Sequence, residues 1–324
     1  MPKESDLILI TGATGKQGGA VAHELLAEGR RVRIMTRHPE SAQAKQLASR
    51  GAEVVRGDLD EPASLPRALE GAWGTFAVQN TWEAGVEREE EQGLRFADAA
   101  RKAGVRHYVY SSVASAHRHT GIPHFDNKAR VEQRVREIGF PSWAVLRPVF
   151  FMENFLSDDN KAAIAQGQLP MGLSPTTKLQ MIAVADVGKY GKIMFNQPER
   201  FNTRSIDLAG DELTMPEAAD VLARVTGHPV KHVQVPISEI RKFSEDLARM
   251  LEWFDAVGYD ADIEGNAKEF GIRPTRFAEW AKAHVAPGTF AFAASDEASS
   301  DRSGNRGTDR VDASTRTPPT ATGG

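Results

Sequence analysis

The sequence predicts an α/β fold built on a doubly wound parallel sheet, and three observations carry that prediction. Short apolar runs alternate with helical stretches through the first half of the chain, the order that yields right-handed crossovers and a parallel sheet. The first run, Leu7-Ile8-Leu9-Ile10, is continuously apolar, as in a strand buried on both faces. It leads directly into a glycine-rich turn from Gly12 to Gly19 and then into helical spacing.

Taken in order, Ala20 to Glu28 repeats apolar residues at helical spacing through Val21, Leu25 and Leu26, and Gly29 closes it. Arg31 to Thr36 reads as the second strand, followed by a helix over about 40–49. Glu53 to Arg56 is the third strand, with a helix near 63–70, and Thr75 to Gln79 is the fourth. A long helix over 87–103 stops before Gly104, and His107 to Ser111 is the fifth strand. A helix over 125–138 ends at Gly139, and the sixth strand, Trp143 to Arg147, is stopped by Pro148. Beyond it, Thr214-Met215-Pro216-Glu217 reads as a capping box opening a helix to Thr226. Strand-like runs lie at Ser205–Ala209 and Val230–Val235, with amphipathic helices over about 238–256 and 276–284. The expected organisation is a dinucleotide-binding domain over 1–149 and a smaller substrate lobe over 150–287 that returns strands to the main sheet. The segment from Gly288 to Gly324 is rich in Ser, Thr, Ala, Asp, Gly and Arg. It has too little apolar surface to offset its ordering entropy and is expected to be disordered.

Composition removes several classes of function. The 324 residues contain no cysteine, which excludes a disulfide framework, thiolate metal sites and a thiol nucleophile. A net charge of −4 gives no global basic field to attract nucleic acid. No apolar run approaches the roughly 20 residues of a spanning helix, and the short stretch before the first strand is not expected to act as a secretory leader, which would need a longer apolar run and a small-residue cleavage site. The expected setting is cytoplasmic and soluble, with a homodimer the commonest assembly. His117 and His119 lie close together but lack a nearby third ligand, so no metal is expected.

The strongest motif is Gly12-Ala13-Thr14-Gly15-Lys16-Gln17-Gly18, placed between a strand and a helix. In that setting Gly12 permits the tight turn, Gly15 lets the backbone approach a pyrophosphate, and Gly18 allows close helix–strand packing. The helix start then offers free amides and its positive dipole end to the phosphates, with Thr14, Lys16 and Gln17 beside them. The spacing is G-x-x-G-x-x-G, not the commoner G-x-G-x-x-G. The second strand ends in Thr36-Arg37-His38. A carboxylate there would meet a free ribose 2′-hydroxyl. The Arg37 guanidinium suits a 2′-phosphate instead, which favours NADP(H). Asp58, followed by Leu59, is placed either to accept from an adenine amino group or to cap the next helix. Gln79 ends the fourth strand at the carboxyl edge where such sheets bind ligands.

Together the segments GATGKQG (12–18), TRHPES (36–41), GDLDEPASL (57–65), YSSVA (110–114), HFDNKARVE (124–132), LRPVFFMENFL (146–156) and VADVG (184–188) resemble the short-chain dehydrogenase/reductase superfamily in its atypical NmrA-like branch. The resemblance runs over residues 5–285. It implies a Rossmann core holding NADP(H) and a small C-terminal substrate region. It also implies one of two activities: reduction of a small electrophile such as a quinone, enone or carbonyl, or catalytically silent redox sensing for a regulatory protein partner.

The superfamily's usual chemistry takes a Tyr and a Lys at i and i+4 on one helix. None of Tyr108, Tyr110, Tyr190 and Tyr259 has a Lys four residues on. The matching pair is His124 and Lys128. Three readings stand: His124 replaces Tyr as general acid; Lys128 is itself the acid/base, as the resemblance to isoflavone-reductase-like relatives implies; or Lys128 only holds the cofactor ribose. Ser112, after the fifth strand, is the candidate substrate-orienting hydroxyl, and Pro148 and Phe150, around the end of the sixth, are candidates for packing against the nicotinamide. The acidic stretch from Trp82 to Glu91 is either a lid over that site or the solvated start of a helix.

Overall fold

The computed structural model describes residues 6–285, so the expectation for the segment from Gly288 lies outside the described residues. Strand and helix alternate as β1 (Leu7–Ile10), α1 (Lys16–Ala27), β2 (Val32–Thr36), α2 (Ala42–Ser49), β3 (Glu53–Arg56), α3 (Leu65–Leu69), β4 (Ala72–Ala77), α4 (Thr81–Ala84), α5 (Val86–Lys102), β5 (His107–Ser111), α6 (Pro123–Ile138) and β6 (Ser142–Pro148). The chain continues through β7 (Phe150–Phe151), α7 (Asp158–Ala165), β8 (Gln168–Met171), β9 (Lys178–Ile182), α8 (Val184–Asn196), α9 (Pro198–Phe201) and β10 (Arg204–Leu208). It ends with β11 (Asp211–Thr214), α10 (Met215–Thr226), β12 (Lys231–Gln234), α11 (Ile237–Phe243), α12 (Glu245–Ala256), α13 (Ile263–Phe270) and α14 (Phe277–His284).

Seven parallel strands form the main sheet in the order β10-β6-β5-β4-β1-β2-β3. The direction of winding reverses at β1 and β4, which opens a crevice beyond their carboxyl ends. The β1 sequence follows from this position. Ile8 and Ile10 enter one core with Val21 and Leu25 of α1 and Tyr190 and Met194 of α8. Leu9 enters the opposite core with Phe96 and Ala100 of α5 and Val131 and Val135 of α6. A strand covered on both faces has no position at which a polar side chain meets water.

A smaller α/β region carries a third core that includes Phe155, Met181, Leu222, Phe254 and Trp280. Its strands form the sheets β11-β9-β7 and β12-β8. The capping box is present, with Thr214 Oγ1 accepting from the Glu217 N–H and Glu217 reaching back to the Thr214 N–H.

Two differences from the sequence reading bear on function. The single helix expected over 238–256 breaks at Ser244, whose extended backbone (φ −155°) ends α11 while its Oγ accepts from the Leu247 N–H and caps α12. The break puts Asp246 in the first turn of a new helix. Helix α8 has no counterpart in the sequence reading. Its glycines conceal it: a Cβ on Gly188 would stand 2.7 Å from the Ala20 carbonyl oxygen, and one on Gly191 2.7 Å from Val21 Cγ2. These glycines pack α8 onto α1, a purpose visible only once α1 is in place. Strands β8, β9 and β11 and helices α7 and α13 are likewise absent from the sequence reading. No helix among the described residues is long and apolar enough to cross a membrane.

Candidate functional site

The turn between β1 and α1 holds Gly12 at φ +59°, a left-handed conformation, with Gly15 as N-cap. A Cβ on Gly12 would lie 2.8 Å from Val78 Cγ1; one on Gly18 would lie 2.6 Å from the carbonyl oxygens of Thr11 and Gly12. Thr11 Oγ1 donates to the Val78 carbonyl and accepts from the Val78 N–H, tying the ends of β1 and β4 together. Gly12, Gly15 and Lys16 are exposed and Thr14 half-buried at this edge. On the far side of the loop, Ser111 Oγ donates to Gln17 Oε1 at 2.5 Å, linking α1 to the end of β5.

The other sequence candidates spread around the same sheet edge. Arg37 is exposed just past β2 and donates through Nη2 to Glu83 Oε2 of α4 at 2.9 Å. Asp58 closes a local turn, its Oδ1 accepting from the Asp60 N–H. It is not the residue preceding the next helical turn, Pro62–Ser64, which Glu61 precedes. Leu59 packs against the α5 core and its carbonyl accepts from Arg95. Gln79 is buried beyond β4, and among the described residues neither heteroatom of its amide meets a partner. Such an orphan at a ligand edge is the signature expected where a bound polar group completes the pairing. Ser112 is buried after β5, Pro148 ends β6, and Phe150 lies half-buried with its ring 5.8 Å from that of Phe155.

Helix α6 carries an ionisable stripe into the interior. His124, Lys128 and Glu132 follow at intervals of four, so they share one face, and all three are buried. Each meets an opposite partner from a different element. His124 Nδ1 contacts Asp246 Oδ2 of α12. Lys128 Nζ donates to Glu89 Oε1 of α5. Glu132 takes a paired contact from Arg147 of β6, at 2.8 Å from Nε and 2.6 Å from Nη2.

Glu89 is the hub of the stretch from Trp82 to Glu91. It is 1% exposed. Besides Lys128 it accepts from Thr81 Oγ1 and from Asn127 Nδ2 at 2.9 Å, while Asn127 also donates to the Val86 carbonyl at 2.8 Å. Burial pushes the Glu89 carboxyl up, but the charge of Lys128 and the bonds from Lys128, Thr81 and Asn127 outweigh it and hold it below the usual carboxylate range. The acidic stretch is therefore not wholly solvated, since Glu89 is buried. Thr81–Ala84 forms one short helical turn, and Trp82, 65% exposed, places its ring 5.5 Å from that of His124.

Sequence reasoning missed Glu89 and Asp246. Glu89 had a signal: it sits four, seven, eight and eleven residues before Gly93, Phe96, Ala97 and Ala100, all on the buried face of α5. Asp246 had none, because its partner lies 122 positions away.

Cradle, crevice and sheet order are those of the NAD(P)-binding fold related to the short-chain dehydrogenases/reductases. Within that class the chain belongs to the NmrA-like family, whose model matches residues 4–281. It is 26% identical over 299 residues to an NmrA-like family domain-containing protein of Dictyostelium discoideum, covering 86% of this chain and 97% of that one. It is 28% identical over 290 residues to an NAD(P)H azoreductase of Xenophilus azovorans, covering 86% and 98%. Among solved structures, the negative transcriptional regulator NmrA in complex with NADP superposes with a TM-score of 0.72 at 21% identity, over 86% of this chain and 95% of that one. The NADPH-dependent quinone oxidoreductase QOR2 of Escherichia coli, complexed with NADPH, gives 0.73 at 23%, over 86% and 99%.

Proposed function

We propose that the protein is an NADPH-dependent reductase of small electrophiles such as quinones, enones, carbonyls or azo compounds. The observation that carries this reading is that both halves of the crevice are built and joined. The Gly12–Gly18 loop stands on one side, Ser112 follows β5 and His124 and Lys128 lie on α6, and the Ser111–Gln17 hydrogen bond ties β5 to α1. The relatives supply support of a coarser kind, since they include NAD(P)H oxidoreductases.

Gly12, Thr14, Gly15, Lys16, Gln17 and Gly18 would hold the pyrophosphate, Arg37 the 2′-phosphate, and Lys128 the nicotinamide ribose, with Asp58, Leu59, Gln79, Pro148 and Phe150 lining the remaining path. The bound cofactor supplies a hydride. The chain's own part is to hold, to orient and to shelter the acceptor from water. Lys128 suits the holding role because its ammonium is anchored by Glu89.

Arg37 has a specific test. Its guanidinium pairs with Glu83 across an exposed gap, and a 2′-phosphate would take Glu83's place as the stronger bidentate partner. Arg37→Ala is expected to weaken NADPH binding by about tenfold or more while NADH binding changes little. Equal weakening of both would remove the 2′-phosphate assignment.

A second reading, a redox sensor for a protein partner, is supported by Trp82, whose exposed ring stands beside that of His124, the candidate acid. Mixing the protein with NADPH and a panel of quinones, enones, aldehydes and azo dyes, and following loss of the reduced nicotinamide absorbance, separates the two. Acceptor-dependent turnover that falls in Lys128→Ala is expected. NADPH bound without turnover would leave the sensor.

A further inference from the structure

The usual tyrosine acid is missing from this chain, yet an acid–carboxylate pair has been assembled at its position from two distant parts of the sequence. His124 stands in the first turn of α6, and its side chain is 9% exposed. Asp246 arrives from α12, placed there by the break at Ser244. Its two oxygens do different work. Oδ1 accepts the backbone N–H of His124 at 3.0 Å, capping a helix start that has no side-chain cap of its own. Oδ2 meets ring nitrogen Nδ1. The carboxylate thereby fixes the position of the residue and stands against one edge of its ring. Burial raises the Asp246 carboxyl, but the adjoining imidazole outweighs it and holds the group below the usual carboxylate range, so it is an anion at neutral pH.

An anion against Nδ1 selects the tautomer with the proton on that nitrogen and leaves Nε2 as the atom that gains and gives a proton. Among the described residues both contacts of His124 with Asp246 run through its backbone N–H and Nδ1, and no hydrogen bond or ion pair reaches Nε2. The other charged and titratable groups on elements packed around this turn are already engaged. Glu89 is paired with Lys128, Arg249 with Glu245, Glu83 with Arg37, His117 with Arg147 and Arg118 with Asp260. Asp246 is thus the charge in direct contact with the imidazole.

We infer that Asp246 is a positioning residue that makes His124 the proton donor of the reaction, and that the protein's acceptors are therefore carbonyl-type groups whose reduction leaves a basic oxygen anion. This rests on the reductase reading above. In the step, the carbonyl carbon takes the hydride with its two electrons, and the π pair moves to oxygen. The Nε2–H bond of the imidazolium breaks and the O–H bond forms, giving an alcohol, the oxidised dinucleotide and neutral imidazole, which regains its proton from solvent. A quinone needs this less, because water protonates the stabilised hydroquinone anion.

The test uses the full chain with an aromatic aldehyde and with 1,4-benzoquinone. In His124→Asn, kcat for the aldehyde should fall about a hundredfold while the quinone rate changes only a few-fold. In Asp246→Asn, which keeps an oxygen for the His124 N–H, kcat for the aldehyde should fall about tenfold or more while its KM and the quinone rate change only a few-fold. Nitrogen NMR of the His124 ring in the wild-type protein, without cofactor, should report the Nδ1–H tautomer at alkaline pH; this reading stands even if a variant folds poorly. The inference is overturned by the Nε2–H tautomer, by an aldehyde kcat unchanged in Asp246→Asn, or by aldehyde and quinone rates falling together. Wild-type protein that binds NADPH yet reduces neither acceptor overturns the reductase reading itself, and the proton donor with it.

Discussion

Glu89→Gln is expected to be among the most damaging single changes in the Rossmann half. The replacement keeps the shape of the side chain but leaves the buried Lys128 ammonium without a counter-charge. It also turns an amide N–H toward donors that now find an acceptor, since Lys128, Thr81 and Asn127 all give hydrogen bonds to this carboxylate. Removing one partner of a buried pair costs about 3–5 kcal/mol, a large share of the roughly 5–15 kcal/mol that holds a typical domain together. Denaturant unfolding should show this as a lower midpoint. The pH dependence has a definite sign. Folding lowers the Glu89 carboxyl, so its contribution is present above the ordinary glutamate value near 4.3 and is lost as pH falls through the depressed folded value. The gap between wild type and variant should therefore close in acid and stay open at neutral pH. Adding Lys128→Met removes the stranded charge and should restore most of the stability without restoring NADPH binding. A double variant that binds NADPH normally would remove Lys128 from the cofactor site.

Gly18→Val is expected to abolish nucleotide binding and to cost about 3 kcal/mol of stability. Gly18 has no left-handed backbone to lose; the difficulty is contact. Even a single Cβ would stand 2.6 Å from the backbone of Thr11 and Gly12, and a backbone cannot swing aside as a flexible side chain does. Helix α1 must then lift from the end of β1, carrying its free amides out of line with the crevice. Gly15→Ala separates fold from site. Its Cβ would lie 3.3 Å from the Gly12 carbonyl oxygen at an exposed position, tight but tolerable, while projecting where a pyrophosphate would sit. Its expected signature is weakened NADPH binding with little change in the unfolding midpoint. If Gly15→Ala binds NADPH as the wild type does, the loop is a turn and not a phosphate cradle.

Much of this architecture was legible in the residues because its determinants are local. Continuous apolar runs of the β1 type arise wherever a strand is covered on both faces, and six strands of the main sheet could be read in order. Thr214 and Glu217 announced a helix start because a capping box is complete within four residues. Helix α8 was illegible for the converse reason: Gly188 and Gly191 weaken a helix by propensity, and what compensates them is close contact with Ala20 and Val21, nearly 170 positions earlier.

The same division runs through the site. Legible in the sequence were the glycine-rich loop between strand and helix, the guanidinium in place of a carboxylate after the second strand, and Lys128 with no tyrosine four residues before it. Each is a matter of residue type at a short spacing. Tertiary structure alone decided what those residues face. It brought Glu83 to Arg37, Glu89 to Lys128 and Asp246 to His124. A charge acts through its distance to other charges and through the solvent it has lost; chain separation fixes neither, and only the folded arrangement of α4, α5, α6 and α12 does.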